Sequence, residues 1–240
     1  MAHELYNQLS KYIDASYRRT KNYQQEVDFI LRRAGNSRGI LIDVACGSGG
    51  HAELLGKAGF EVYAVDLNDG MLRLVRKNLP KARVFKQDMR QLDVPVQADV
   101  LLCMYNSINY NYSYDELAHT FRRFYDHLKP GGVLIFDTAF MKHTWKPGPF
   151  SVETISTPEF EVARVNKSSN KGSFGIVDIV FVIFEKGRKV VETQNKIFLP
   201  DRDRIITLMK QIGFKTKAYF DFSDTKRNGT VSVFVGRKYR

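Results

Sequence analysis

Long apolar runs are missing from this 240-residue sequence. A membrane-spanning helix needs ~20 consecutive apolar residues. The most apolar stretch, Ile176 to Phe184, is shorter than that and is broken by Asp178. The opening Met1-Ala2-His3-Glu4 lacks the basic segment followed by an apolar one that marks a secretory signal. Cysteine is scarce as well. Cys46 and Cys103 are the two present, too few for a disulfide framework, so a reducing, cytoplasmic setting is expected. Low-complexity tracts and internal repeats are absent, which excludes solenoids and disordered linkers. His51, His119, His127 and His143 show no metal-ligand spacing, so no metal site is expected. His119 and His127 read as ordinary helix residues.

Acidic residues are also in deficit, 26 against 37 basic ones, which leaves a net charge of +11. A basic field attracts anions, including nucleic acid and phosphorylated small molecules. The basic residues are scattered, however. Arg18, Arg19 and Lys21, then Arg32 and Arg33, then Lys226 and Arg227, then Arg237-Lys238-Tyr239-Arg240 are the densest groups, and none is an unbroken block.

What is present reads as α/β. Residues 1 to 34 carry helical spacing, with Val27, Ile30 and Leu31 on one face, and Gly35 and Asn36 end the segment. Short apolar runs then alternate with helical stretches. Strands are expected near 39–45, 60–65, 82–85, 100–104 and 133–136, the last after a turn at Pro130-Gly131-Gly132. Helices are expected near 51–57, 68–78 and 114–128. That alternation implies a parallel sheet covered on both faces. After about residue 150 three strands follow without helices, at 161–166, 175–185 and 189–199, with breaks at Ser168 to Gly172 and at Lys186-Gly187. A helix near 201–211 and strands near 214–222 and 230–236 complete the chain. The expected architecture is one domain: a Rossmann-like, mostly parallel seven-stranded sheet with helices on both faces, a helical lid over about 1–34, and a small antiparallel β insertion over about 150–200.

Chemistry concentrates at the strand ends. Leu41-Ile-Asp43-Val-Ala45-Cys-Gly47-Ser-Gly49-Gly-His51 places glycines between a buried strand and a helix N-terminus, where the backbone can approach a ligand. Gly47-x-Gly49-x-x-Ala52 satisfies the dinucleotide fingerprint too. Asp66 ends the second strand about 20 residues after the glycine turn, where an acid can accept both ribose hydroxyls. These two signals indicate a nucleoside cofactor without choosing its class. Three others choose it. Asp43 sits inside the first strand, where dinucleotide enzymes carry an apolar residue. Asp88 in Lys86-Gln-Asp-Met89-Arg90 can accept from an adenine amino group, and the next backbone N–H can reach a ring nitrogen. The fourth strand ends in Cys103-Met104-Tyr-Asn-Ser107, and Leu128-Lys-Pro-Gly-Gly132 precedes the fifth.

This series resembles the class I methyltransferases that use S-adenosylmethionine (SAM), over about residues 38–138. It looks most like the small-molecule N-methyltransferases that dimethylate nucleotide-linked amino sugars, and more loosely like glycine N-methyltransferases. The resemblance implies a cofactor set of Asp43, Ala45, Gly47, Gly49, Asp66 and Leu67, continued by Met71, Asp88, Met89, Cys103 and Met104. It further matches Tyr12, Lys21 and Tyr23 to an N-terminal segment folded over the methionine end of SAM, although Tyr12 reads equally well as a core aromatic. Tyr12 and Tyr110 are the candidates to orient or deprotonate an amine. Two departures, Tyr110 and Ala139-Phe140, fall where amino-sugar enzymes carry a His and an aromatic pair, so the acceptor stays open. No Asn-Pro-Pro-Tyr or Asp-Pro-Pro-Tyr follows the fourth strand and no paired cysteines occur, which disfavours DNA base-amino and RNA cytosine-C5 methylation. Three functions remain: methylation of a small, anionic molecule, chiefly at nitrogen; RNA methylation through the basic surface; and SAM binding without turnover. Self-association into a homodimer stays open.

Overall fold

The computed structural model describes residues 6–35 and 38–239. The expectations placed on Met1 to Glu4, on Asn36 as a helix stop and on Arg240 lie outside the described residues. Helix α1 spans Ser10–Thr20 and buries Tyr12, Ile13 and Ser16, positions three or four apart on one face. It stops at Lys21, whose backbone is extended, and Asn22 then caps helix α2, Tyr23–Ala34, by accepting from the Gln25 N–H. Among the described residues, the helical reading of the N-terminal region therefore resolves into these two helices and a helical stretch at residues 6–8. Gly35, with φ of 72°, closes α2 as a left-handed cap.

The central sheet alternates with helices as expected: β1 Ile40–Val44, α3 Gly50–Lys57, β2 Glu61–Asp66, α4 Asp69–Asn78, β3 Arg83–Lys86, β4 Ala98–Cys103, α5 Tyr114–Asp126 and β5 Leu128–Thr138. Helix α6, Arg202–Ile212, leads to β10, Phe214–Phe220, and β11, Ser232–Lys238. The strand order is β10-β11-β5-β4-β1-β2-β3, with β11 antiparallel to both its neighbours. The order reverses direction between β1 and β4. In such sheets the strands' carboxyl ends diverge there and leave a crevice.

Alternate residues of each strand face opposite layers. Ile42, Val44, Leu101 and Cys103 pack against Leu117, Phe121 and Phe124 of α5 and Met209 of α6. Leu41, Val62, Val100 and Leu102 pack against Phe29 and Ile30 of α2, Leu55 of α3 and Val75 of α4. Truncating one of the fully buried phenylalanines, such as Phe121, to Ala would cost ~3–5 kcal/mol. Strand β5 begins five residues earlier than expected. Pro130-Gly131 does not end the pairing but shifts it, from Ala98 opposite Leu128 to Val100 opposite Val133. Among the described residues, no helix is long and apolar enough to cross a membrane.

The insertion is a four-stranded antiparallel sheet, one strand more than expected: β6 Ser151–Ser156, β7 Glu161–Lys171, β8 Phe174–Phe184 and β9 Arg188–Phe198. The expected break at Ser168 to Gly172 is strand as far as Lys171, and the chain turns only at Gly172, φ 60°. One face of this sheet, through Ile155, Val162, Ile179, Phe181 and Ile183, packs on Leu9, Tyr12 and Ile13 of the N-terminal region and on Met71 of α4. Lys11 to Glu185 at 2.5 Å and Ser16 Oγ to Glu153 Oε1 at 2.5 Å tie α1 to the sheet.

Candidate active site

The crevice at β1 and β4 opens into a cavity of about 320 Å³, a size suited to small ligands. Its floor is the turn after β1. Ala45 and Gly47 adopt left-handed backbone, φ 53° and 55°, and Gly49 at φ 85° starts α3. A Cβ added at Gly47 would meet no atom within 4 Å, so the glycine faces open space. A Cβ at Gly50 would overlap the Tyr23 ring, so α2 lies directly on the start of α3.

Asp66 Oδ2 accepts from Gly47 N–H at 2.9 Å, while Oδ1 accepts from Asn68 N–H at 2.8 Å and Nδ2 at 3.0 Å. The carboxylate thus joins the glycine turn to the end of β2. Burial raises its pKa and these N–H donors oppose the rise. Asp43 is 1% exposed and its Oδ2 has no partner. Burial pushes its carboxyl up to about 7, with Asp66 adding to the shift and His51 opposing it. An unpaired buried carboxylate oxygen on a cavity wall calls for a donor from a ligand, preferably a cationic one.

On the far wall Lys21 Nζ lies 3.4 Å from the Tyr105 ring centroid and 3.6 Å from Glu26 Oε1. Glu26 Oε2 also meets His51 Nε2 at 2.6 Å, and the Tyr23 ring stands edge-on to His51. Tyr105 and Asn106 hold left-handed φ of 62° and 60°. Tyr105 N–H donates to the buried Asp137, whose carboxyl burial lifts to about 6, and Asn106 Oδ1 accepts from Ala139 N–H at 2.6 Å. Non-glycine residues held in this conformation store strain, which is common at functional sites. Asp88 is gripped by Arg90, which also reaches Glu116 at 3.1 Å.

Lys21, Tyr23, Asp43, Ala45, Gly47, Asp66, Leu67, Met71, Asp88, Met89, Met104 and Tyr110 all line the cavity. Three expected residues do not. Tyr12 turns into the core instead, edge-on to Phe160 at 4.8 Å, and its hydroxyl donates to Glu185. Cys103 points into the α5 layer and is fully buried, as strand alternation requires when Met104 faces the cavity. Gly49 packs against Val75 behind the turn. His127 is a structural cap: Nδ1 meets the Arg123 carbonyl at 2.8 Å and Nε2 accepts from Val94 N–H at 3.3 Å.

Sequence reasoning named Tyr110 but missed the rest of the aromatic and polar chamber beside Met104. Tyr6, Tyr17, Tyr105 and Tyr110 surround it, with Phe140, Arg164 and Asn195. Tyr17 stands edge-on to Tyr105 at 4.5 Å, and the Tyr6 and Tyr110 hydroxyls are 3.3 Å apart. Burial raises the Tyr110 and Tyr17 hydroxyls well above their usual range and Tyr105 to about 12.

The family described as a methyltransferase domain matches residues 41–132, from β1 to the start of β5. The glycine/sarcosine N-methyltransferase of Halorhodospira halochloris is 32% identical over 233 residues, 88% of this chain and 80% of that protein. The chain belongs to the class I SAM-dependent methyltransferases. A dTDP-3-amino-3,4,6-trideoxy-α-D-glucopyranose N,N-dimethyltransferase of Streptomyces venezuelae is 29% identical over 175 residues, 72% of this chain and 74% of that one. The crystal structure of Streptomyces venezuelae DesVI superposes with a TM-score of 0.84 at 26% identity, covering 94% of this chain and 96% of that one. This methyltransferase therefore uses SAM, and its residues fit such a ligand. The unpaired Asp43 oxygen suits an ammonium, and the open Gly47 backbone leaves room beside Asp66 for a ribose.

Proposed function

We propose that this methyltransferase transfers the SAM methyl group to the nitrogen of a small, amine-bearing molecule, as a single catalytic domain covered by α1, α2 and the β6–β9 sheet. The observation that carries this reading is the chamber of Tyr6, Tyr17, Tyr105 and Tyr110, enclosed between the Met104–Tyr110 segment and the antiparallel sheet. A site covered in this way by the antiparallel sheet suits a small molecule better than a folded polynucleotide. The relatives named as glycine/sarcosine and amino-sugar N-methyltransferases support an amine acceptor. Arg18, Arg33, Lys86 and Lys129 are engaged in ion pairs with Asp14, Asp224, Asp69 and Asp99, but the net charge of +11 remains, so RNA is kept as an arm of the test.

Bound SAM supplies a methyl group on a sulfonium, an electrophile that needs no further activation. In this reading Asp43 accepts from the ammonium of its methionine end, Lys21 faces the carboxylate, Asp66 receives the ribose hydroxyls, and Asp88 with Met89 borders the adenine. The protein's remaining work is to place a neutral amine in line with the methyl–sulfur bond and keep water out. Tyr110, raised by burial, is a neutral hydroxyl at physiological pH, so it orients the amine instead of acting as a strong base. Its neighbours Tyr6 at 3.3 Å and Asn195 Nδ2 at 3.4 Å fix that hydroxyl.

The test is methyl transfer from labelled SAM to fractionated small amines and to total RNA. Label in a small amine supports the reading. Stoichiometric label at one RNA position, with none in small molecules, refutes it.

A further inference from the structure

Among the described residues, Arg164 on β7 forms no ion pair. It lines the cavity, and its Nε is buried without a hydrogen-bond partner. The Phe181 ring lies 5.7 Å from its guanidinium carbon, a weak contact. Strand register puts Glu153 of β6 opposite it, but that carboxylate turns to Ser16 Oγ at 2.5 Å and makes no ion pair with Arg164. No carboxylate of the described residues comes within 4.0 Å of the Arg164 guanidinium. The other cations of the cavity differ. Lys21 has Glu26, and Arg90 has both Asp88 and Glu116. A half-buried guanidinium without an anion is costly, and a site that keeps one gains most when a ligand brings the anion.

Asn195 gives a second, independent sign. It is 6% exposed, lines the same cavity, and its Oδ1 is buried without a partner, while its Nδ2 is spent on Tyr110. Arg164 pairs with Phe181, and Asn195 pairs with Val177. Phe181 and Val177 are four residues apart on β8, so both polar side chains stand on the same face of the sheet. The two positions are ~13 Å apart along the strands and ~10 Å across them, since β7 and β9 flank β8, and the long arginine side chain spans part of that. This face roofs the tyrosine chamber, where Arg164 also lowers the Tyr17, Tyr105 and Tyr110 pKa values against the larger effect of burial.

We propose that Arg164 binds an oxyanion, carboxylate or phosphate, carried by the methyl acceptor, and that Asn195 Oδ1 accepts an N–H or O–H of the same molecule. The inference rests on the small-amine reading above. It makes the acceptor a compact zwitterion, with its anion in the reaction chamber rather than at the cavity mouth.

Two measurements test it. The first follows the Arg164 Nε–H resonance in ¹⁵N-arginine protein saturated with S-adenosylhomocysteine, assigned by its loss in Arg164→Met, while acetate or inorganic phosphate is added. A saturable shift is expected, and the anion that gives it distinguishes carboxylate from phosphate. The second compares kcat/KM for three matched amines: neutral, carboxylate-bearing and phosphate-bearing. Arg164→Met should cut the preferred anionic amine ~10–100-fold, leave the neutral one within about twofold, and be partly rescued by Arg164→Lys. S-adenosylhomocysteine affinity should not change. A tenfold loss of that affinity would assign the anion to the cofactor and overturn the inference. So would the absence of a shift together with equal use of neutral and anionic amines, an outcome that leaves the small-amine reading standing. A saturable shift with no amine methylated would overturn the amine reading and leave the oxyanion site.

Discussion

Asp43 offers the sharpest test of how the cavity is used. In the free protein its carboxyl titrates at about 7, because it is buried with one oxygen unpaired. Asp66 adds to the shift and His51 opposes it, while Glu26 and Lys21 stand behind His51. A cationic amine placed against Asp43 favours the charged form, so binding must expel a proton wherever Asp43 is protonated beforehand. With a free pKa near 7 and a bound pKa well below 5.5, affinity for S-adenosylhomocysteine should fall ~25-fold from pH 7.5 to pH 5.5, or ~1.9 kcal/mol. Asp43→Asn should remove most of this slope. At pH 7.5 it should also weaken binding by ~1.5–3 kcal/mol, the worth of a hydrogen bond to a charged group. Calorimetry in two buffers of different ionisation enthalpy would count the protons directly, with nearly one released per ligand at pH 6. Flat affinity across this range, or an Asn variant that keeps the slope, would show that Asp43 does not meet the amine. The free protein should behave in the opposite sense. A carboxyl raised in the folded state stabilises at low pH, and that contribution is lost as pH rises from about 4 through 7.

Other substitutions probe neighbouring parts. Asp66→Ala should weaken SAM by at least ~2 kcal/mol, since it removes the acceptor and frees the Gly47 turn, whereas Asp88→Ala should cost less because Arg90 already engages that carboxylate; titration calorimetry compares them. Gly50→Ala should lower stability by ~1–3 kcal/mol by forcing Tyr23 aside, and should weaken S-adenosylhomocysteine as well, which thermal melts with and without ligand would show. Tyr110→Phe should reduce kcat while leaving SAM affinity and the basic limb of the pH–rate profile in place, because the hydroxyl is neutral throughout that range.

The parallel strands were legible because strands buried on both faces are nearly continuous apolar runs, as in Ile40-Leu-Ile-Asp-Val44. Strand β6 was not, because of Ser151-Val-Glu-Thr-Ile-Ser156 only Ile155 is fully buried. The start of β5 was hidden by Pro130-Gly131-Gly132, which reads as a turn but is absorbed as an irregularity beside β4. At the site, Asp43, Gly47 and Asp66 could be found because one strand–turn–helix unit fixes their spacing. Tyr12 and Tyr17 show the opposite case. Both lie on α1, five residues and about 140° of helix rotation apart, so only one faces the cavity. Which one is decided by Phe160 and Glu185, far along the chain. Arg164 and Asn195 carry no local motif. Their meaning comes from the strand register that puts them on one face.

The ties between α1 and the antiparallel sheet also bear on the order of assembly. Ser16 bonds to a residue 137 positions later and Lys11 to one 174 positions later. During synthesis the early helix emerges long before either partner exists, and its apolar face has no sheet to rest on. Contacts of such sequence separation are slow to close, because the intervening chain must first give up its freedom. Closure of the reaction chamber therefore has to wait until β6–β9 have been made, while β10 and β11 of the central sheet follow later still. In the interval Tyr12, Ile13 and Phe160 are surfaces for mistaken association, which makes the late docking of α1 the step at which folding of this enzyme is most exposed to failure.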